Sequence, residues 1–408
     1  MTLLAPAPRL CAVSGTARHG AGFWMIAAAF LIAMAFSTVP TPLYPLYTAR
    51  DGFSTFTVTV VFAVYAVGVV ISLLLAGHLS DRAGRRRVLL PALGLELAAA
   101  ALFFSGTSLP VLLAARFLTG LGVGMVTATA TAYLHELHAA DRPGASRQRF
   151  EVVSTVANTG GLGAGALVAG LLAAHVHTPL RTPYAVFAVL LLVALAAVAL
   201  APETVTDRPA RPAYRPQRIH AERPVAGHLT AGFAAFAVFG LFTSVAPGFV
   251  AGVLHHSSRV LAGALVFAVF AAAAAAQALT GRLGNPAKLA LGLAAQAGGV
   301  LIVLAGMRLA SLPVFLAGGV VAGVGAGTLF KAAVGAVTAL AAPQHRGAAL
   351  AGLFLVAYLG LTVPVIGLGL ATRAFTALTA MTGFAVLMLA LLTAVAALTT
   401  RRTAGAPR

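Results

Sequence analysis

Three ionisable side chains sit where water should be scarce. Glu96, Arg116 and Lys331 each lie well inside a stretch of sequence that is otherwise uncharged. Charge buried in apolar surroundings is costly and marks a ligand contact, an ion path or a proton relay. A fourth locus is a short polar loop, Gly77-His78-Leu79-Ser80-Asp81-Arg82-Ala83-Gly84-Arg85-Arg86-Arg87. Apart from Glu96, residues 53–104 outside this loop carry no charge. The chemistry on offer is proton uptake at a carboxyl, anion contact at a guanidinium or ammonium, and an electrostatic latch at Asp81. Covalent chemistry is not on offer. No nucleophile, histidine and acid set can be assembled, no Gly-x-x-x-x-Gly-Lys-Ser/Thr stretch exists for a nucleotide, and the chain reads as no enzyme and as needing no cofactor. His135, Glu136 and His138 fall at the end of an apolar run and read as interfacial solvation rather than a metal site.

The elements holding these residues must be membrane helices. Hydrophobic residues make up 60% of the 408-residue chain and charged residues 9%, against roughly 25% in soluble domains. Many windows of eighteen or more residues are free of charge, and each can cross the ~30 Å hydrocarbon core as a helix. The lipid bilayer is therefore a partner. Twelve spans are expected, at about 22–48, 55–78, 88–107, 110–137, 151–174, 183–201, 227–253, 259–281, 287–307, 312–340, 347–371 and 375–399. The organisation is a tail (1–21), a first six-helix half (22–201), a Pro- and Arg-rich linker (202–226), a second half (227–399) and a tail (400–408). The long first run excludes a cleaved leader, and Cys11, the sole cysteine, excludes an internal disulfide.

The net charge of +18 does not point to nucleic acid, because the arginines are scattered through short loops between spans. With the N-terminus inside, 20 of the 27 Lys and Arg fall on the cytoplasmic side and five outside. Such a bias puts both termini in the cytoplasm, with the cell membrane as the expected location. An internal repeat supports two halves. Leu109-Pro110-Val111 matches Leu312-Pro313-Val314, and Gly120, Gly122 and Gly124 match Gly323, Gly325 and Gly327, all at an offset of 203. Gly77 and Leu79 match Gly281 and Leu283 at 204, where Asn285 stands in place of Asp81. Six spans per half keep the repeats parallel, with a site between them near the midplane.

The pattern Gly77-x-Leu79-x-Asp81-Arg82-x-Gly84-Arg85-Arg86 resembles the loop between helices 2 and 3 of the major facilitator superfamily. The resemblance extends to Arg116-x-x-x-Gly120-x-Gly122-x-Gly124 on helix 4, and to Ala201-Pro202-Glu203-Thr204 after helix 6. It implies an all-α fold of twelve transmembrane helices in two parallel six-helix repeats, working by alternating access on a small-molecule substrate. Asp81 would latch onto the start of span 11, near Gly347. Arg116 would take part in proton coupling, the alternative being a structural Arg reaching for the interface. Helices 1, 4, 7 and 10 would line the cavity, which points to Lys331 as an anion contact or proton-linked switch. Glu96, on a support helix, is a proton-carrier candidate or a neutral carboxyl bonded to a neighbour.

Gly161 and Gly165, like Gly120 and Gly124, suit close helix packing. They resemble the antiporter motif, but Ala166 replaces its proline. Tyr44, Asn158, Gln277 and Tyr358 are cavity-lining candidates, and Tyr47 is assigned to the interfacial aromatic belt. The first reading is a monomeric, proton-coupled exporter of hydrophobic or drug-like compounds. The second is an uptake carrier or facilitator for an organic anion, and a third, of another class, is a non-transporting scaffold or sensor.

Overall fold

The computed structural model describes residues 10–76, 79–205, 225–342 and 346–400. Gly77, most of the 202–226 linker and the outermost parts of both tails lie outside the described residues. Twelve helices are long and apolar enough to cross a membrane. They are α1 (Arg18–Asp51), α2 (Thr55–Leu75), α3 (Arg85–Ser105), α4 (Leu109–Asp141), α5 (Gln148–His175), α6 (Thr182–Leu200), α7 (Ala226–Gly252), α8 (Arg259–Arg282), α9 (Asn285–Arg308), α10 (Leu312–Leu340), α11 (Ala348–Ala371) and α12 (Ala377–Thr399). No strand occurs among the described residues. The even number of spans per half gives the two repeats the same direction. The end carrying Asp81–Arg87 is called the basic end below, and the other the opposite end.

Most boundaries agree with those expected within a few residues. The first span differs, because helix already begins at Leu10. No proline interrupts the chain between Arg9 and Thr38, so nothing stops the helix running out into the expected tail. It ends instead at a cluster of prolines. Pro40 and Pro42 lack the N–H that would continue the ladder, and the chain turns through a 3-10 segment at Thr41–Leu43 before resuming at Tyr44. Two π-helical turns, Val156–Gly160 in α5 and Leu241–Val245 in α7, have no signal in the apolar pattern.

Helix contacts are built from small residues, as expected where apolar burial gives no driving force between helices. The repeat is visible atom by atom. A Cβ on Gly120 would strike the Tyr65 carbonyl of α2, and one on Gly124 the Val69 carbonyl. In the second half, Gly323 meets the Val269 carbonyl of α8 and Gly327 that of Ala273. Gly161 and Gly165 press on the α1 backbone at Leu31 and Ala35.

The halves meet chiefly through α5 against α8 and α2 against α11. These contacts concentrate at the opposite end. Gly163 packs on Phe267 and Phe270, Gly170 on the Arg259 carbonyl, and Gly369 on Thr59. The Arg259 guanidinium donates to the Ala173 carbonyl at 2.7 Å, and Arg373 lies 5.5 Å from the Phe56 ring centre. At the basic end, α5 and α8 instead flank an open pocket. The two halves are thus packed together at the opposite end, while at the basic end a pocket separates α5 from α8.

Candidate functional site

Between the halves lies a central cavity. Its wall takes Ser37, Thr38 and Thr41 from α1, Phe62 and Tyr65 from α2, Asn158, Thr159 and Leu162 from α5, and Phe236, Phe239 and Thr243 from α7. Phe270 and Gln277 of α8, Phe330 of α10, and Phe354 and Tyr358 of α11 join them, and Met34, Thr127 of α4 and Leu361 complete it. The lining contains eight aromatic rings, several neutral polar groups and no charged side chain. The rings are ordered against one another: Phe236 contacts Phe239, Phe330 and Tyr358, and Phe239 stacks on Phe270 at 4.8 Å. The π-helical turn of α5 is where Asn158 and Thr159 reach this cavity; such bulges recur at functional sites. Across the halves, Gln277 Nε2 donates to Thr159 Oγ1 at 3.5 Å. Asn158, Gln277 and Tyr358 all border this cavity. The sequence leads one to expect a mostly apolar wall of Ala, Val, Phe and Leu; phenylalanine and leucine are there, but among the described residues no alanine or valine is.

Arg116 lies behind the cavity wall toward the opposite end and is 1% exposed. Its guanidinium is held by the break in α1. Nη1 donates to the Ser37 carbonyl at 2.7 Å, while Nε and Nη2 donate to the Tyr44 hydroxyl at 3.1 and 2.5 Å. The carbonyls at a helix C-terminus lack intrahelical partners and carry partial negative charge, so a broken helix end offers a cation a counter-pole without a carboxylate. The Tyr44 and Tyr65 rings flank the guanidinium, with centres 5.5 and 5.7 Å away. Tyr44 is spent on Arg116 and is absent from the lining of the central cavity. Tyr47 is fully buried and bonded to Tyr184 at 3.1 Å, so its assignment to an interfacial belt is corrected: the α1 break folds it inward.

Glu96 lies on the other side of α4, with its side chain against Gly122. It is completely buried, and neither carboxyl oxygen has a hydrogen-bond partner among the described residues. It does not reach the central cavity.

At the basic end, Arg85 is the hub of the polar loop. Nη1 donates to Ser80 Oγ at 2.7 Å and to Asp81 Oδ1 at 2.5 Å, and Nη2 donates to Glu136 Oε1 at 2.6 Å. Thr204 Oγ1 donates to the second oxygen of Glu136. The carboxylate of Glu203 caps the α3 N-terminus, accepting from the backbone N–H groups of Arg85 and Arg86 at 3.0 and 3.1 Å. This is the anion position a helix start favours. Gly84 makes that approach possible. It has φ +104°, and a Cβ there would come 2.8 Å from Glu203 Oε2. Interfacial solvation is thus the wrong reading of Glu136, which pairs with Arg85, and of His138, which is buried with Nε2 3.2 Å from the Ser146 carbonyl. Asp81 remains 64% exposed on the rim, and Arg82 and Arg86 face outward.

Lys331 does not line the central cavity. It borders a second pocket at the basic end, with Gln148, Glu151, Val152 and Thr155 of α5 and Ala278, Leu279, Gly281 and Arg282 of α8. Its ammonium donates to the Gln277 carbonyl in the last turns of α8.

Two parallel six-helix halves around an internal cavity define a multi-pass membrane protein. The sequence profile of the Major Facilitator Superfamily matches residues 25–305. The chain belongs to this superfamily. An uncharacterized MFS-type transporter of Mycobacterium tuberculosis is 30% identical over 146 residues, 36% of this chain and 25% of that protein. The bacillibactin exporter of Bacillus subtilis is 35% identical over 86 residues, 20% of this chain and 21% of that protein. The chain thus spans a quarter or less of the length of these relatives. Among solved structures, that of the human organic anion transporter MFSD10 (TETRAN) superposes with a TM-score of 0.68, covering 92% of this chain and 99% of that one at 18% identity. A likeness at that identity shows the fold alone.

Proposed function

We propose that this carrier exports small hydrophobic, aromatic-rich compounds in exchange for protons, as a monomer in the cell membrane with its basic end and both termini in the cytoplasm. The observation that carries the reading is the central cavity, eight rings and neutral polar groups without a charge. Stacking and apolar burial favour flat hydrophobic solutes, whereas a sugar would need many more hydrogen-bonding groups. The likeness to an exporter over 86 residues favours outward movement. Proton coupling is supported by the two unusual charges, Arg116 beside Tyr65 of the cavity wall and Glu96 as the one buried carboxyl among the described residues. Asp81 serves as the latch: with the basic end open it holds Arg85 of its own half, and on closure it turns to the start of α11.

The test is accumulation of a panel of hydrophobic dyes in inside-out vesicles, with and without a proton gradient, beside Phe330→Ala and Phe236→Ala. Gradient-driven accumulation that falls several-fold in both variants is expected. Accumulation indifferent to both the gradient and the rings would sink the proposal. The second reading, a carrier of organic anions, is favoured by Lys331 at the pocket below.

A further inference from the structure

The pocket at the basic end lies about one helical turn beyond the central cavity along the same two helices. On α5, Thr159 lines the cavity and Thr155, one turn toward the basic end, lines the pocket. On α8, Gln277 lines the cavity and Gly281 the pocket, and on α10 Phe330 and Lys331 divide in the same way. Four residues of helix advance ~6 Å, so the aromatic cavity and the polar pocket are about one short linker apart.

The pocket has the donors an anion needs. Lys331 and Arg282 supply two cations, Gln148 and Thr155 neutral polar groups, and Glu151 a single opposing charge. Lys331 is half-buried, yet it makes no ion pair among the described residues. Glu151 and Lys288 are the charges whose fields reach it. One of its three N–H donors is used on the Gln277 carbonyl, and an ammonium has three donors and no acceptor. A cation borders the pocket with spare donors and no carboxylate bonded to it.

We infer that this pocket is a subsite for the acid group of an amphipathic aromatic acid. Lys331 and Arg282 take the carboxylate while the ring enters the aromatic cavity, and Glu151 tempers the site by competing for the same cations. The inference rests on the cavity's role as the solute site and adds the substrate class.

The experiment uses the full chain in nanodiscs and two probes of matched shape, 1-naphthaleneacetate and its neutral amide, measured by equilibrium dialysis at neutral pH. The wild-type protein should bind the acid about tenfold more tightly than the amide. Lys331→Gln should erase that preference while changing amide affinity less than twofold, and Lys331→Arg should restore it. Glu151→Gln should tighten the acid alone. Because Lys331 also ties α10 to α8, a packing defect would weaken both probes together, and that result overturns the subsite. If acid and amide bind equally and Phe330→Ala weakens both, the cavity reading stands and the subsite falls. If neither probe binds, both fall.

Discussion

Arg116 offers the sharpest test of how the fold tolerates charge in the membrane. The structure assigns it two acceptors, the Tyr44 hydroxyl and the Ser37 carbonyl, through three hydrogen bonds of 2.5–3.1 Å. Tyr44→Phe removes the hydroxyl and leaves Nε and Nη2 of a 1%-exposed guanidinium without partners. A buried charged donor left unpaired costs about 1.5–3 kcal/mol. Hydrogen bonds inside membrane proteins average nearer ~0.6 kcal/mol each, so the two lost bonds set a floor of about 1 kcal/mol. Arg116→Met is harder to sign alone, because it removes a costly ion as well as its bonds. The coupling in a double-mutant cycle avoids that ambiguity. With Met at 116, Tyr44→Phe strands nothing, so the two changes should couple by about 1–3 kcal/mol. The assay is reversible denaturation by SDS in mixed micelles. It can be followed by the single tryptophan, Trp24, which faces outward from α1, the helix whose broken end Arg116 holds. Additivity within ~0.3–0.5 kcal/mol, the usual result for independent sites, would refute the claim that Arg116 anchors the break through Tyr44.

Three further perturbations act elsewhere. Gly84→Ala combines a positive φ with a Cβ 2.8 Å from Glu203 Oε2; it should cost about 1–3 kcal/mol in the same assay, and Glu203→Ala should relieve the steric share. Asp81→Asn should leave the protein inserted and folded, because Arg85 keeps Glu136, yet lower vesicle transport at least tenfold; wild-type transport at equal expression would remove the latch. Glu96→Gln should preserve folding, since the shape is unchanged, and abolish gradient-driven accumulation while sparing downhill exchange; intact gradient dependence would clear Glu96 of the carrier role.

The twelve spans, the parallel repeat and the polar loop were legible because each rests on a strong, local signal. Uncharged runs of helical length have few other uses, and glycines at a fixed offset of 203 turned out to mark equivalent contacts, Gly120 on Tyr65 and Gly323 on Val269. Partners were less legible. Glu136 is 51 residues from Arg85 and Glu203 is 118, and nothing local in either sequence neighbourhood announces the meeting. The π-helical turns at Val156–Gly160 and Leu241–Val245 were hidden because inserting one residue into a turn leaves the apolar composition unchanged. Lys331 lies within α10 as expected but borders the basic-end pocket rather than the central cavity, because which face of the helix it occupies depends on packing against α8. A lone charge in a nearly all-apolar helix gives periodicity little to measure.

The two halves match in backbone packing and differ in where charge is placed, and the difference is systematic. The position of Arg116 is taken in α10 by Gly319, and the Phe242 ring fills the space above it, 3.0 Å from where a Cβ would stand. Val300 occupies the repeat position of Glu96, Asn285 that of Asp81, and Ala128 that of Lys331. Each ionisable group in question thus faces a neutral counterpart. Keeping one copy of each halves the cost of burying charge, and it also makes the two rims of the basic end unlike. The α2–α11 rim carries the Asp81 loop, which is already bound into its own half through Arg85 and Glu136. The α5–α8 rim carries Glu151 opposite Lys331 and Arg282, opposite charges on opposite halves. Closing the basic end would therefore bring attraction on the second rim with no rearrangement of existing pairs, whereas in the proposed latch the first rim releases Asp81 from Arg85. A solute anion on Lys331 would weaken the first of these forces and leave the second untouched. On the proposed reading, the basic end thus closes with less attraction when an anion occupies the pocket than when it is empty.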